Sequence, residues 1–448
     1  MDLKFKLILL PILIIILMVM VYSYSQLPFL PPDYPQGPLI NQNDRVMVVA
    51  PHPDDEVICN GGIVRYATEN HIPIKVVVVT DGNDTVNSPL TRYKEIINAT
   101  KILGLSEENI IFLGYRDGSL RNLLNNNWNN DNPFIARDGS NHTNYPYALY
   151  PNTTSCGSNL ADNLETIIKD FQPTVIIYPS GDDELMDHQA TNGFIEYATT
   201  KTQNNGSKYT YLLHLPPDWP TQRSYYPEYY LVPPKQLMGV ENGPKWFTFN
   251  LNTIQERLKE KAILTYKTQV DPDSYLLSFL RKNELFAQYS TITVSSKSNL
   301  IDYSHGSEVP PTIFYDAQSD GKYQGNKDSP DIISFGMDIN DDSSWMSIKT
   351  DAPPSSDALY TIHLELFHPD GGTERVEITA QNGSAQLKED VNNNSITHNI
   401  PLIVKNNSMM IKIPSSLFDN SFYLILSLDS SKNEAIIDQT PWRVVKIT

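Results

Sequence analysis

The chain has few cysteines: Cys59 and Cys156 are the only two among 448 residues. Two cysteines cannot form the network of bridges that holds small secreted scaffolds together, so the fold must rest on a hydrophobic core. Neither thiol falls in the paired spacing of cysteine metal ligands, which argues against a cysteine-based zinc motif. A single bridge between them and a buried free thiol at Cys59 both remain open.

Positive charge is also scarce. The sequence has 34 Lys and Arg against 52 Asp and Glu, and the basic residues form no cluster. A surface of this sign repels nucleic acid and anionic lipid headgroups, so we expect no nucleic-acid partner. The length still allows more than one domain with a sizeable core.

A dinucleotide fingerprint is absent, because no Gly-x-Gly-x-x-Gly follows the first apolar strand. Strands and helices nevertheless alternate from Asp44 to about Thr200. This alternation predicts an α/β fold with a Rossmann-like, doubly wound, mostly parallel sheet. The predicted strands cover residues 75–80, 109–114 and 174–179, and the predicted helices cover 92–103 and 161–171.

The N-terminus carries an apolar run from Leu7 to Val21, which is shorter than the ~20 residues that a spanning helix prefers. Lysines precede the run, and small residues at Ser23 and Ser25 offer a cleavage site. Residues 1–25 are therefore interpreted as a signal peptide or an N-terminal membrane anchor, and the two stay open. Both place the body of the chain outside the cell or at the cell surface. Residues 26–43, rich in proline and polar residues, are interpreted as a linker.

The most informative motif follows the strand predicted at 46–50 and reads Pro-His-Pro-Asp-Asp-Glu, from Pro51 to Glu56. Sites in open α/β sheets form at the carboxyl ends of strands, which is where this turn lies. His52 and Asp55 are three residues apart on the turn, so both can face one ion, and imidazole with carboxylate suits zinc or a similar divalent metal. Asp54 is left over, as a general base for an activated water requires.

A second turn of the same kind follows the strand predicted at 174–179. It ends in Asp187-His188, and His188 begins a helical stretch. Two histidines and one aspartate would leave a coordination position open for water, which is the catalytic rather than the structural arrangement. Asp187 is assigned a supporting role, bonding a ligand or shaping the turn.

Together these motifs resemble the LmbE/PIG-L family of metal-dependent de-N-acetylases over about residues 44–287. The resemblance also includes Gly61-Gly62, Thr80-Asp81-Gly82, Arg92 with Glu95, and the stretch from Leu113 to Gly118. It implies that His52, Asp55 and His188 bind Zn²⁺ or another divalent metal, that Asp54 is the base, and that Arg92 and Asp117 help to bind substrate. The implied substrate is an N-acetylglucosamine-type sugar, glycan or glycolipid.

The sequence departs from the family at one position. The second family motif usually reads His-Pro-Asp-His, whereas this chain has Leu185-Met186-Asp187-His188. The ligand and its aspartate are kept, but the first histidine, which the family places near the reacting carbonyl, is missing. Another donor, for example Tyr178, would have to stabilise the oxyanion.

After about Thr291 the sequence changes to short alternating runs separated by turn residues, which predicts an all-β sandwich. The domain limits are therefore 44–290 for the α/β domain and 291–448 for the β-sandwich domain with its linker. Carbohydrate binding and a spacer role are both open for the second domain.

Two functions follow from the sequence. The first is an exported zinc-dependent hydrolase that removes N-acetyl groups through a metal-activated water and an Asp general base. The second is a catalytically weak or inactive relative that binds glycans at the cell surface. The retained Asp54 favours the first, and the leucine at position 185 favours the second.

Overall fold

The computed structural model describes residues 11–20, 31–83, 88–215, 219–220, 224–270, 274–296, 303–305, 308–317, 330–340, 343–391 and 394–448. Of the predicted signal or anchor, only 11–20 lies among them, as the exposed helix α1. Across these ranges, no helix is both long enough and apolar enough to cross a bilayer.

The first sheet contains seven strands in the described part of the chain, in the order β3-β2-β1-β4-β5-β7-β6. The first five are parallel, and β7 is antiparallel to both β5 and β6. The fold is thus mixed α/β with a sheet that is mainly parallel. Its strands are β1 (Val46–Ala50), β2 (Ile74–Thr80), β3 (Ile110–Tyr115), β4 (Val175–Pro179), β5 (Ser207–Tyr211), β6 (Lys245–Asn250) and β7 (Asn283–Gln288).

Helices cover both faces of this sheet. Successive side chains of a strand point to opposite faces, and every residue of β1 is buried, so neither face is open to solvent at β1. Val46 and Val48 pack in one cluster with α3, α4 and α8, whereas Met47 and Val49 pack in another with α5, α6 and α7. The helices are α2 (Asp55–Ile58), α3 (Gly61–Glu69), α4 (Pro89–Ile102), α5 (Leu120–Asn125), α6 (Gly157–Phe171), α7 (Met186–Lys201) and α8 (Thr253–Ile263).

The order of the strands reverses between β1 and β4. From β1 the chain adds β2 and β3 on one side, and it then crosses to add β4 and β5 on the other side. In open α/β sheets such a reversal leaves a crevice at the carboxyl ends of the two central strands. The predicted metal turns follow β1 and β4, so the fold brings both to this crevice.

The described residues after β7 form two sheets that share one apolar core. One has the order β16-β17-β11-β10-β9; the other runs β15-β14-β13-β12-β18-β20-β8, with β19 paired to β18. We call residues 291–448 the β region. Its strands are β8 (Ile292–Val294), β9 (Thr312–Tyr315), β10 (Ile332–Asp338), β11 (Ser344–Thr350), β12 (Leu359–Phe367), β13 (Thr373–Gln381), β14 (Ser384–Val391), β15 (Asn394–Ile400), β16 (Leu402–Lys405), β17 (Ser408–Ile413), β18 (Tyr423–Lys432), β19 (Ala435–Gln439) and β20 (Arg443–Ile447).

The β region packs directly against helix α7. Phe367, Ile425 and Trp442 lie in the same apolar cluster as Phe194 of that helix. A Cβ on Gly193 would approach the Trp442 indole to 2.6 Å, and one on Gly181 would approach Pro441 to the same distance. The chain therefore needs glycine at both positions for the β region to come this close.

Candidate functional site

The turn after β1 holds Asp54 in an unusual backbone conformation, with φ at 142°. Few non-glycine residues adopt positive φ, and they concentrate at functional sites. Glu56 supports the conformation by accepting a hydrogen bond from the Asp54 N–H at 2.9 Å. The amides of Val57 and Ile58 donate to the Asp54 carbonyl, so the turn runs directly into α2.

The Asp54 carboxylate lies over a buried arginine. Arg92 is 2% exposed, and its Nη2 donates to the Pro53 carbonyl at 2.5 Å and to Asp54 Oδ2 at 3.2 Å. Burial raises the pKa of Asp54 to about 6, while the Arg92 charge opposes that rise. A carboxylate with such a pKa can exchange protons close to neutral pH. The structure thus places Arg92 beside the predicted base as well as in the pocket wall.

Asp55 lies between the two predicted metal-binding histidines. Its Oδ2 is 3.5 Å from His52 Nδ1 and 3.4 Å from His188 Nε2, and it also accepts the His52 N–H at 2.9 Å. Burial alone would raise the pKa of Asp55, but the charges of His188 and His52 hold it far below its usual range. Asp55 therefore remains a carboxylate, the form that binds metal ions.

His188 is fully buried, and the loop before it supplies a second carboxylate. Asp183 Oδ2 lies 3.1 Å from His188 Nδ1 and accepts hydrogen bonds from the Leu213 and His214 N–H groups at 3.0 and 2.9 Å. Burial lowers the pKa of His188, yet Asp183 and Asp55 together raise it to about 10. A carboxylate on the outer nitrogen of a ligand histidine orients the ring toward the metal.

Asp187 joins the second turn to the segment after β3. Its Oδ2 accepts the Gly118 N–H at 2.7 Å, its Oδ1 accepts the Leu120 N–H at 3.0 Å, and His52 Nε2 lies 3.3 Å from Oδ2. Asp117 Oδ1 lies 3.4 Å from the same nitrogen. All the site residues predicted from the sequence therefore meet at the crevice between β1 and β4.

The donor set fits a divalent cation. One ligand atom each from His52, Asp55 and His188 lies within 4.8 Å of the others, and Asp55 and Asp183 face the two buried ring nitrogens of His188. His52, Asp117 and Asp187 form a second such group. The first group fits better, because both Asp187 oxygens already accept backbone N–H groups and because two imidazoles with one carboxylate suit zinc.

A pocket of about 500 Å³ opens beside these groups. Its wall includes Asp54, Arg92 and Asp117 on the polar side, and Leu185 and Met186 at the mouth. Those two apolar side chains are 37% and 47% exposed. Such a volume is typical of small-molecule sites.

Sequence reasoning missed three residues of this site: Asp183, His214 and Tyr275. Asp183 stands in the acidic run 182–184, where nothing in the local sequence pairs one carboxylate with His188, although a carboxylate near a ligand histidine is a common support. His214 follows β5 in the chain, away from both metal turns, and burial lowers its pKa to about 4. No local signal identifies Tyr275, which reaches the site only through the fold.

Cys59 and Cys156 are both buried and free.

Comparison with known proteins supports this assignment. Residues 47–199 match the family model described as PIG-L: GlcNAc-PI de-N-acetylase. Over 154 residues the chain is 31% identical to a probable N-acetyl-alpha-D-glucosaminyl L-malate deacetylase 2 of Bacillus anthracis. That alignment covers 30% of this chain and 65% of the relative, which is slightly less than two thirds of the relative's length.

Two solved structures overlap with about half of the chain. The N,N'-diacetylchitobiose deacetylase of Pyrococcus horikoshii is 19% identical, with a TM-score of 0.34, and covers 54% of this chain and 82% of its own. The zinc-inhibited form of a teicoplanin deacetylase is 17% identical, with a TM-score of 0.35, and covers 54% and 97%. TM-scores this low add nothing to the assignment, which rests on the family match, the relative and the motifs. Residues 47–199 of this chain are thus similar to the PIG-L (LmbE-like) family of deacetylases.

Proposed function

We propose that this chain is an exported, zinc-dependent hydrolase that removes the acetyl group from an N-acetylglucosamine-type sugar, glycan or glycolipid. The single observation that carries the proposal is that Asp54 lines the same pocket as His52 and Asp55, which form one possible metal-binding group with the buried His188. A purely structural metal site would need the three ligands, but it would not need the carboxylate of Asp54, whose backbone has a strained φ. The PIG-L domain match supports the same chemistry.

The roles of the protein groups follow from their surroundings. His52, Asp55 and His188 would hold a divalent cation, and this cation would supply the Lewis acidity that polarises a carbonyl and makes water more acidic. Asp54 accepts the proton of the water that attacks the acetamide carbon, and it returns that proton to the departing amine. Arg92 fixes Asp54 through the 3.2 Å contact, and Asp183 fixes the ring of His188.

Substrate binding is assigned to the polar wall of the pocket. Asp117 reaches the pocket from the segment after β3 and can accept hydrogen bonds from sugar hydroxyls. Arg92 contributes a positive charge next to Asp54. The malate deacetylase relative and the family description, both of which name N-acetylglucosamine compounds, support an amino-sugar substrate.

Four finer points remain predictions from the sequence. These are the Rossmann-like description of the sheet, the domain limits at 290 and 291, the extracellular or cell-surface location, and anchoring by residues 1–25. The strand order supports the first of them, and the break between β7 and β8 supports the second.

A second candidate is a catalytically weak relative that binds glycans, and Leu185 in place of the family histidine favours it. Acetate release from N-acetylglucosamine oligomers separates the two. We expect release that stops on addition of a chelator and returns with Zn²⁺. Glycan binding without any acetate release, in the presence of bound metal, would favour the second candidate.

A further inference from the structure

The active-site pocket lacks the family histidine that precedes the metal ligand by three positions. Leu185 takes that position, directly before α7, and its side chain cannot donate a hydrogen bond. Amide hydrolysis places negative charge on the former carbonyl oxygen, and a donor aimed at that oxygen is commonly worth about 10²–10³ in rate. Tyr178 is no substitute, since it is buried outside the pocket wall and its hydroxyl donates to Glu196.

His214 reaches the same pocket from another element. It follows β5, the strand next to β4, and lines the pocket together with His52 and Asp54. Its ring lies 5.3 Å from the His188 ring, measured between centroids, in an edge-on arrangement. Its backbone N–H donates to Asp183 at 2.9 Å, the carboxylate that also faces His188. The same buried group thus fixes His188 and the backbone of His214.

Tyr275 holds the ring of His214. Its hydroxyl bonds to His214 Nδ1 and lies 3.1 Å from Nε2, and Tyr275 itself lines the pocket. Neutral imidazole has one N–H and one acceptor nitrogen. When the phenol donates to the acceptor nitrogen, the proton of the ring stays on the other nitrogen, so the ring keeps one donor.

We infer that His214 replaces the missing family histidine: it donates a hydrogen bond to the acetamide oxygen as negative charge develops there, with Tyr275 as its positioning residue. This inference rests on the proposed function. It explains how the chain can carry leucine at position 185 and keep a complete set of catalytic groups.

The test is His214→Ala in the full chain. We expect kcat to fall about 10²–10³-fold, KM to change little and zinc content to stay the same. Added imidazole, or Leu185→His in the same background, should restore part of kcat. Recovery by neither overturns the inference, as does loss of zinc in parallel with kcat. Tyr275→Phe should lower kcat about 10-fold at unchanged zinc content, in line with one lost hydrogen bond.

Acetate binding to the zinc-loaded chain is a second readout, because it requires no turnover. The affinity for acetate should fall about 10-fold in His214→Ala. His398→Ala, on an exposed position of β15, is the matched control. An inactive wild type whose acetate binding depends on His214 would contradict the proposed function alone. An active wild type in which His214→Ala changes neither kcat nor acetate affinity would contradict this inference alone.

Discussion

The turn after β1 and the loop after β4 bring ligands to the same candidate metal site but are held in different ways. In the turn, Asp55 accepts the His52 N–H and Glu56 accepts the Asp54 N–H, so partners lie within a few residues. In the loop, Asp183 binds the backbone after β5, and Gly181 packs on Pro441 from the β region.

The difference shows which part of the site depends on the whole fold. The β1 turn is mainly a local unit, with Arg92 and Tyr266 as its distant supports. The loop after β4 and the first turn of α7 contact three other parts of the chain: the segment after β3 through Asp187, the segment after β5 through Asp183, and the β region through Gly181. We therefore expect substitutions far from the site to disturb His188 more than His52.

The largest effect is expected for His188→Ala. The ring is fully buried, with Asp55 facing its Nε2 and Asp183 facing its Nδ1, so its loss removes one of the three ligands. Zinc affinity should fall by more than ~100-fold, the upper range for loss of a mere supporting group. Metal analysis after dialysis checks this, with His398→Ala as the control. Unchanged zinc content would refute the ligand assignment.

Trp442→Ala tests the dependence of the β4 loop on the β region. Trp442 is 3% exposed and packs with α7, so the free energy of unfolding should fall by about 3–5 kcal/mol. Hydrogen exchange should become faster in residues 180–188 and stay unchanged in residues 51–55. Trp345→Ala is the control, because Trp345 is equally buried in the β region but packs in a cluster apart from α7. Equally faster hydrogen exchange in residues 51–55 and 180–188 would contradict the expectation that only the loop after β4 depends on the β region.

Asp183→Asn should have the smallest of these effects. The substitution keeps the shape but removes the charge beside His188 Nδ1, and such supporting groups change metal affinity by about 10–100-fold. Asp182→Asn is the matched control, since Asp182 is also buried but bonds Ser180 and Tyr289 instead of His188. A titration of both variants with zinc compares them. The same affinity in the two would mean that Asp183 only shapes the loop.

The contrast also explains what the sequence could predict. His52, Asp54 and Asp55 stand together in one short motif after an apolar strand, so their placement could be predicted from local pattern alone. The α4 prediction of 92–103 comes close to the observed Pro89–Ile102 for the same reason. Asp183 and His214 meet only because β5 lies beside β4, a contact between residues 31 positions apart that no local pattern records.

Two other differences have similar physical causes. Strands β14 and β15 carry little strand signal in the sequence, because their residues are largely polar and lack a clear apolar alternation. Arg92 was predicted to bind substrate, yet its shortest contacts hold Pro53 and Asp54 within the protein. The family resemblance identified the residue, but only the packing of α4 against the β1 turn indicates this further role.

Parallel measurement of zinc content and acetate release in Asp54→Asn and Asp55→Asn tests the central claim most directly. Both substitutions remove one charge from neighbouring positions in the same turn, so they control for each other. Asp54→Asn should keep about one zinc per chain, since Asp54 is not a ligand, while turnover falls by roughly 10²–10⁴-fold. Asp55→Asn should lose both metal and turnover. Retention of zinc by Asp55→Asn together with its loss from Asp54→Asn would contradict the roles assigned to this pair.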